Sequence, residues 1–96
     1  MKIEPFKMRI INPQQSKIVQ ETLFKNRYSW NGGSKIVEYI ELEFLFFYAT
    51  NLCIGVGDLR LTQCNDERYY GVNPLPEISY QTFITRYKRF TINFGR

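Results

Sequence analysis

The sequence predicts an α+β domain in which one N-terminal amphipathic helix packs on a small, mainly antiparallel sheet. Three observations predict it: apolar and charged residues alternate before residue 12, a helix start signal follows, and residues 44–49 form an almost wholly apolar run. A chain of 96 residues buries roughly 65% of the surface of its unfolded form, which suffices for one core. We therefore expect residues 1–96 to form a single domain.

The first strand is predicted from alternation. Phe6, Met8 and Ile10 alternate with Lys7 and Arg9, which is the period of a half-buried strand whose apolar side faces the core. This strand is expected over residues 4–11, with both basic side chains on the face away from the core.

A helix is predicted directly after this strand. Asn12 stands at the N-cap, Pro13 at the first helical position and Gln15 where it can close a capping box. The apolar stripe is expected to hold Ile18, Val19, Thr22, Leu23 and Asn26, while Lys17, Gln20, Glu21 and Lys25 face water. The helix should end near residue 26 or 27.

The middle of the chain predicts a meander. Residues 28–34 mix large aromatics with Gly32 and Gly33, which indicates an extended arm or short strand entering a turn. Residues 36–40 are β-branched and aromatic and predict a strand, and residues 44–49 predict a central strand covered on both faces. A reversal at residues 51–52 then lets residues 53–57 pair back antiparallel.

The last third is predicted to be less regular. Residues 58–73 show little periodicity, and Pro74 and Pro76 exclude a long helix or central strand. Ser79 can cap a short helix over residues 80–83, although alternation over residues 78–82 also fits a strand. Residues 85–96 are predicted to form a basic C-terminal strand or arm.

The net charge of +4 is concentrated at the C-terminus. Lys and Arg balance Asp and Glu nine to nine up to residue 85, and the excess comes from Arg86, Lys88, Arg89 and Arg96. Such a cluster can contact phosphates or an acidic protein surface, and it can equally be a solvated basic end.

Residue types argue against catalysis and metal binding. The chain has no histidine, which removes the commonest general base and metal ligand. Cys53 and Cys64 lack the second Cys or His pair of a zinc site, and free thiols are expected, with a disulfide as the alternative. No signal peptide or membrane-length apolar run is visible. The sequence thus predicts a cytoplasmic, non-enzymatic protein without cofactor, metal or membrane partner.

The candidate binding residues are aromatic and basic. Two adjacent glycine amides before Lys35 can surround an anion while Trp30 stacks on a base, and a hairpin turn with a core tryptophan is the alternative. Tyrosines near loops and charges can stack on bases or serve as hot spots for a protein partner. The predicted binding residues are Trp30, Lys35, Arg68, Tyr69, Tyr70, Arg86, Tyr87, Lys88 and Arg89.

Several segments carry a family resemblance: the helix start Asn12-Pro13-Gln14-Gln15-Ser16, Leu23-Phe24, the Tyr28-x-Trp30-x-Gly32 motif, the strand at residues 44–48 and residues 76–83. Together they resemble small accessory proteins of T4-like and other tailed bacteriophages. The resemblance covers about residues 6–84. It implies expression in the cytoplasm of an infected bacterium and a role in inhibiting or redirecting a host factor, and it assigns no catalytic residue.

The leading hypothesis is therefore non-catalytic binding that inhibits a host protein, such as a component of anti-phage defence. The alternative is a nucleotide or nucleic-acid binder, for example a sponge for a signalling nucleotide. A homo-oligomer is compatible with either hypothesis.

Overall fold

Within the described residues, the fold consists of a three-stranded sheet and three helices. The computed structural model describes residues 3–30, 33–48, 66–87 and the backbone of residues 60–64. In chain order the elements are β1 (Phe6–Arg9), α1 (Pro13–Lys25), β2 (Phe44–Tyr48), β3 (Arg60–Cys64), α2 (Glu67–Val72) and α3 (Tyr80–Arg86). The sheet is antiparallel throughout, in the order β1-β2-β3. The predicted α+β class is confirmed.

Strand β2 lies at the centre of the sheet and is buried on both faces. Phe44 and Phe46 belong to one core cluster, and Leu45 and Phe47, which point the opposite way, belong to another. All four side chains are at most 1% exposed. This confirms the prediction of a central strand covered on both faces.

The larger core cluster lies between the sheet, α1 and α3. Val19 and Leu23 come from α1 and Phe83 from α3. The centroid of the Phe6 ring lies 5.4 Å from the ring centroids of both Phe47 and Phe83. Each such buried side chain contributes about 1.5–3 kcal/mol relative to exposure, so this contact fixes α3 on the same face as α1.

The smaller cluster lies under α2 on the opposite face. Tyr70 of α2 is 2% exposed and stacks on Phe44 with ring centroids 4.4 Å apart. Lys7 also lies on this face and is 9% exposed, so the expectation that it faces water is wrong. Its ammonium donates to the backbone oxygens of Tyr70 at 2.7 Å and Asn73 at 2.8 Å. A short helix thus covers a face that alternation alone assigns to solvent.

Helix α1 begins and ends through its own side chains and turns. The Asn12 Oδ1 accepts from the Gln15 N–H at 3.0 Å, as predicted, and Gln15 Oε1 accepts from the Ile11 N–H at 3.0 Å. In a capping box the Gln15 side chain would bond to the Asn12 N–H, whereas here it bonds to the N–H of Ile11, the residue before the cap. At the other end Arg27 has a φ of +77°, and the Tyr28 N–H donates to the Leu23 oxygen at 3.0 Å, which is a Schellman ending.

Gln20 of α1 is a second correction. It was expected to face water but is fully buried. Its amide is satisfied by backbone groups of the loop that follows the helix, so burial costs it no hydrogen bond.

Three predicted segments differ from the observed structure. Residues 36–40 form no strand, because Tyr39 has a φ of +54°, which a strand does not accommodate. The described part of residues 58–73 is not irregular: it contains β3 and α2, and the Asp66 side chain caps α2. The C-terminal arm does not begin at residue 85, since α3 continues to Arg86.

The short helix capped by Ser79 is confirmed, with Ser79 Oγ accepting from the Thr82 N–H at 3.0 Å. The predicted reversal and returning strand at residues 51–57 lie outside the described residues. So do residues 88–96 of the predicted C-terminal strand or arm.

Candidate protein-binding surface

A loop of residues 36–42, called here the apolar loop, exposes large apolar side chains. Ile36 is 68% exposed, Tyr39 53% and Ile40 37%. Scattered exposed apolar residues are ordinary on protein surfaces. Three within five positions of one loop form a surface that a partner can cover.

The backbone of the apolar loop is held by α1. Gln20 Nε2 donates to the Glu38 oxygen at 2.7 Å, and Gln20 Oε1 accepts from the Glu38 N–H at 3.0 Å. The same Nε2 also donates to Ser16 Oγ at 3.0 Å. A fully buried amide thus takes up both backbone groups of a loop residue and fixes the loop on the helix.

Trp30 holds the apolar loop through one hydrogen bond and one ring contact. Its indole N–H donates to the Ile36 oxygen at 3.1 Å, and its ring meets the Tyr39 ring edge-on with centroids 5.6 Å apart. The tryptophan itself is only 7% exposed. Its role here is to position the loop rather than to present its own ring.

Tyr39 adopts a left-handed conformation that bulky residues rarely occupy. Its φ of +54° costs about 1–2 kcal/mol for a residue with a side chain. Such backbone conformations persist where neighbouring contacts determine them, and they concentrate at functional sites. Here the Gln20 and Trp30 contacts on either side of Tyr39 hold the conformation.

The exposed apolar surface continues from the loop to the start of α1. Ile11 is 75% exposed, and together with Ile40 it lines a depression of about 240 Å³. The rim of this depression carries Glu41 and Glu43. The apolar loop and Ile11 therefore border a common surface with an acidic margin.

A larger open groove of about 700 Å³ lies between the end of β1 and α3. Arg9, Ile11 and Glu77 contribute to one side, and α3 with its cap contributes the other. The lining residues from the α3 side are Ile78, Ser79, Tyr80, Thr82 and Arg86. Two arginines thus border one groove.

Charged groups join β1, α2 and the segment before α3 beside this groove. Arg9 Nη2 lies 2.8 Å from Glu67 Oε2, and Arg9 Nε lies 3.5 Å from Glu77 Oε2. The guanidinium carbon also lies 4.9 Å from the centre of the Tyr70 ring. The hydrogen bond from Arg9 lowers the pKa of Glu67 below its ordinary value. Arg9 is therefore engaged by carboxylates on both sides.

The Tyr70 hydroxyl completes this group by donating to Glu77 Oε2 at 2.8 Å. Burial, together with that carboxylate, raises the pKa of Tyr70 well above its ordinary value of 10.0. The hydroxyl is thus a proton donor throughout the physiological range and serves to hold α2 against the segment before α3.

The nine predicted binding residues are not gathered into one site. Three are buried, at 7% exposure or less: Trp30, Tyr70 and Tyr87. Four are exposed: Lys35, Arg68, Tyr69 and Arg86. The other two, Lys88 and Arg89, lie outside the described residues. The sheet separates Tyr70 from Trp30 and Tyr87, which belong to the opposite core cluster, so the buried rings cannot stack on one ligand in this conformation.

The predicted anion cradle at the glycine pair differs from what the structure shows. The Gly33 N–H donates to the Trp30 oxygen at 2.8 Å, and the Trp30 N–H donates to the Ser34 oxygen at 2.9 Å. The Gly33 amide is therefore occupied within a turn, while Gly32 lies outside the described residues. The alternative of a turn with a core tryptophan fits the described part of this segment.

The apolar loop and Ile11 are the surface residues that sequence reasoning missed. The segment from Ile36 to Glu43 breaks clean alternation, with glutamates on both faces of any strand drawn through it. That break was the available signal against a strand. The alternation predicts that the first strand includes Ile11, whereas the strand ends at Arg9.

Comparisons with known proteins give no relative to which a site could be matched. No protein-family model matches the chain, and neither the curated proteins nor the solved structures yield a significant match. Across the described residues, no three His, Cys, Asp or Glu side chains are grouped to hold a metal ion. None of the described helices is long and apolar enough to cross a membrane.

Proposed function

We propose that this protein acts by non-catalytic binding to another protein, with the apolar loop as its principal contact surface. The observation that carries the proposal is the combination of a fixed backbone and exposed apolar side chains. Gln20 and Trp30 hold the loop, while Ile36 and Tyr39 stay more than half exposed. Tyrosine is enriched at protein interfaces and among their hot spots, and the buried core of an interface is more apolar than the rest of the surface.

A fixed loop favours binding for a thermodynamic reason. Ordering a side chain or loop segment at an interface costs about 0.5–1.5 kcal/mol per immobilised side chain. Because the Glu38 backbone is already held by Gln20, the loop backbone adds little to this cost, and mainly the ordering of the exposed side chains remains. A flexible loop with the same side chains would bind more weakly.

The proposed partner is a host protein of an infected bacterium, which the complex would inhibit. The resemblance to accessory proteins of tailed bacteriophages supports this assignment, and so does the preference of the apolar loop for a protein rather than a phosphate-bearing partner. A component of anti-phage defence is the partner class that this resemblance favours.

A tagged-protein pull-down from lysate of the bacterial host at low salt tests the proposal. The Ile36→Asp/Ile40→Asp double variant should lose the retained host protein, because two carboxylates would be buried in the interface. Val72→Asp is the matched control, since Val72 is an apolar side chain, 72% exposed, on α2. Circular dichroism and Trp30 fluorescence check that both variants are folded.

Two results would contradict the proposal. One is that the wild-type protein retains no host protein, and the other is that the Val72→Asp control loses the retained host protein as completely as the loop variant does. A host protein that is retained should then be purified and shown to bind the wild-type protein and not the loop variant. The activity of that host protein should be lower in the complex.

Nucleotide or nucleic-acid binding is the second candidate, supported by one feature of α2. Arg68 and Tyr69 are adjacent in the sequence and both are exposed, Tyr69 at 43%. An exposed aromatic ring can stack on a base, and an exposed cation on the same helix can contact a phosphate. Binding of a single-stranded oligonucleotide that weakens steeply with salt and is lost in Arg68→Glu would favour this candidate, whereas salt-insensitive binding would count against it.

A further inference from the structure

The outer edge of β1 is only partly paired. On the side away from β2, the Lys7 N–H donates to the Pro76 oxygen at 2.9 Å, and the Ile78 N–H donates to the Lys7 oxygen at 3.0 Å. This short parallel bridge stops because Ser79 caps α3 and the chain turns away. A wedge opens where the next pair of hydrogen bonds would form.

The backbone groups of Arg9 point into that wedge. The Ile10 N–H donates to the Glu43 oxygen at 2.7 Å, so Ile10 faces β2. Because backbone groups alternate between the two sides of a strand, those of Arg9 face the outer edge, as those of Lys7 do. No described residue bonds to the Arg9 N–H or C=O. The Ile11 N–H is taken by Gln15, which ends the open stretch.

The groove described above is this wedge, and its size suits a short ligand. Its volume of about 700 Å³ lies within the range of about 300–1,000 Å³ found for ligand pockets. The exposed Ile11 stands at one end, and the partly buried Ile78 and Tyr80 line the other side. The groove thus offers a strand edge together with apolar contacts.

Arg86 gives the groove an uncompensated positive charge. The carboxylate in the groove wall, Glu77, is engaged by Arg9 and by the Tyr70 hydroxyl. Arg86 is exposed and makes no ion pair with any described residue. A guanidinium binds a carboxylate through two parallel hydrogen bonds, so an acidic side chain is the complementary group.

We infer that this groove binds an extended acidic peptide segment of a partner protein, which adds to the edge of β1 at Arg9 and places a carboxylate on Arg86. Addition of an extended segment to an open sheet edge is a recurrent mode of peptide recognition, with main-chain bonds supplying affinity and side-chain contacts supplying specificity. The groove does not involve the apolar loop, and this inference stands independently of the function proposed above.

Fluorescence anisotropy with synthetic peptides tests the inference on the full chain. The probe is a labelled seven-residue peptide alternating Glu with Val, and a second peptide alternates Lys with Val. A third peptide has the acidic sequence with methylated amide nitrogens at alternate residues. We expect the acidic peptide to bind, the basic peptide not to bind, and methylation to weaken binding at least tenfold.

Protein variants locate the binding. Arg86→Glu should weaken the acidic peptide at least tenfold, while Lys17→Glu, the same charge change on the exposed face of α1, should have less than a twofold effect. The Ile36→Asp/Ile40→Asp variant should bind the peptide as the wild type does, which separates this site from the apolar loop. Thermal unfolding confirms that each variant is folded.

Four results would overturn the inference. Three concern the acidic peptide: no binding at all, equal binding of its methylated form, or an equal loss of binding with Arg86→Glu and with Lys17→Glu. Displacement of the bound acidic peptide by a single-stranded oligonucleotide that binds the groove more tightly would assign the groove to phosphates instead.

Discussion

Gln20→Leu tests whether one buried amide holds the apolar loop. Leucine is of similar size but cannot bond to Ser16 or to the backbone of Glu38, so three hydrogen bonds of 2.7–3.0 Å are lost. Each contributes about 1 kcal/mol net, and leucine recovers part of the loss by burying apolar surface. We expect the free energy of unfolding to fall by about 2–3 kcal/mol, which lowers Tm by roughly 4–8 °C per kcal/mol in a domain of this size.

Urea unfolding followed by circular dichroism measures the change, and the fluorescence of Trp30, the single tryptophan, reports the loop. Gln14→Leu is the control, because Gln14 lies on the same helix and is exposed. It should change stability by less than about 0.5 kcal/mol. A Gln20→Leu protein as stable as the Gln14→Leu control, with an unchanged Trp30 emission, would refute the proposed role.

Three further substitutions probe other parts of the fold. Arg27→Gly should stabilise by about 1 kcal/mol in thermal unfolding, because glycine removes the cost of the +77° φ, and Arg27→Ala should give no such gain. Lys7→Met should destabilise by about 1–2 kcal/mol in urea, since it leaves the Tyr70 and Asn73 oxygens without their buried donor; unchanged stability would contradict this. The folded-state pKa of Tyr70 is raised above 10.0. The protonated hydroxyl therefore contributes fully to the free energy of unfolding below that pH, and this contribution is lost as pH rises through the folded pKa. Tyr70→Phe should therefore lose less stability than the wild type between about pH 8 and pH 11, and parallel curves would count against it.

The elements with strong local signals could be predicted from the sequence. Asn12 and Pro13 mark the start of α1, and Ser79 marks the start of α3, because each cap is built from residues adjacent in the chain. The apolar run of β2 likewise predicts burial on both faces. In each case the determining contacts are local or depend on hydrophobicity alone.

The remaining features depend on contacts distant in the sequence. Lys7 is buried by α2, more than sixty residues later, and Gln20 is buried by the loop at Glu38. Neither periodicity nor charge reveals which backbone oxygens will meet a polar side chain. The exposure of Ile36 was hidden for the same reason, since its segment has the composition of a strand but is held as a loop by Gln20 and Trp30.

The double coverage of β2 has a consequence for mutational tolerance. In a sheet with one solvated face, every second position of a strand accepts polar substitution, whereas residues 44–47 all project into packed layers. A saturation-mutagenesis profile should show an unbroken block of intolerance there, with losses of about 3–5 kcal/mol for phenylalanine to alanine. Tolerated sequence change is then confined to the exposed positions of the loops and helices, so the surface can diverge while the interior stays the same.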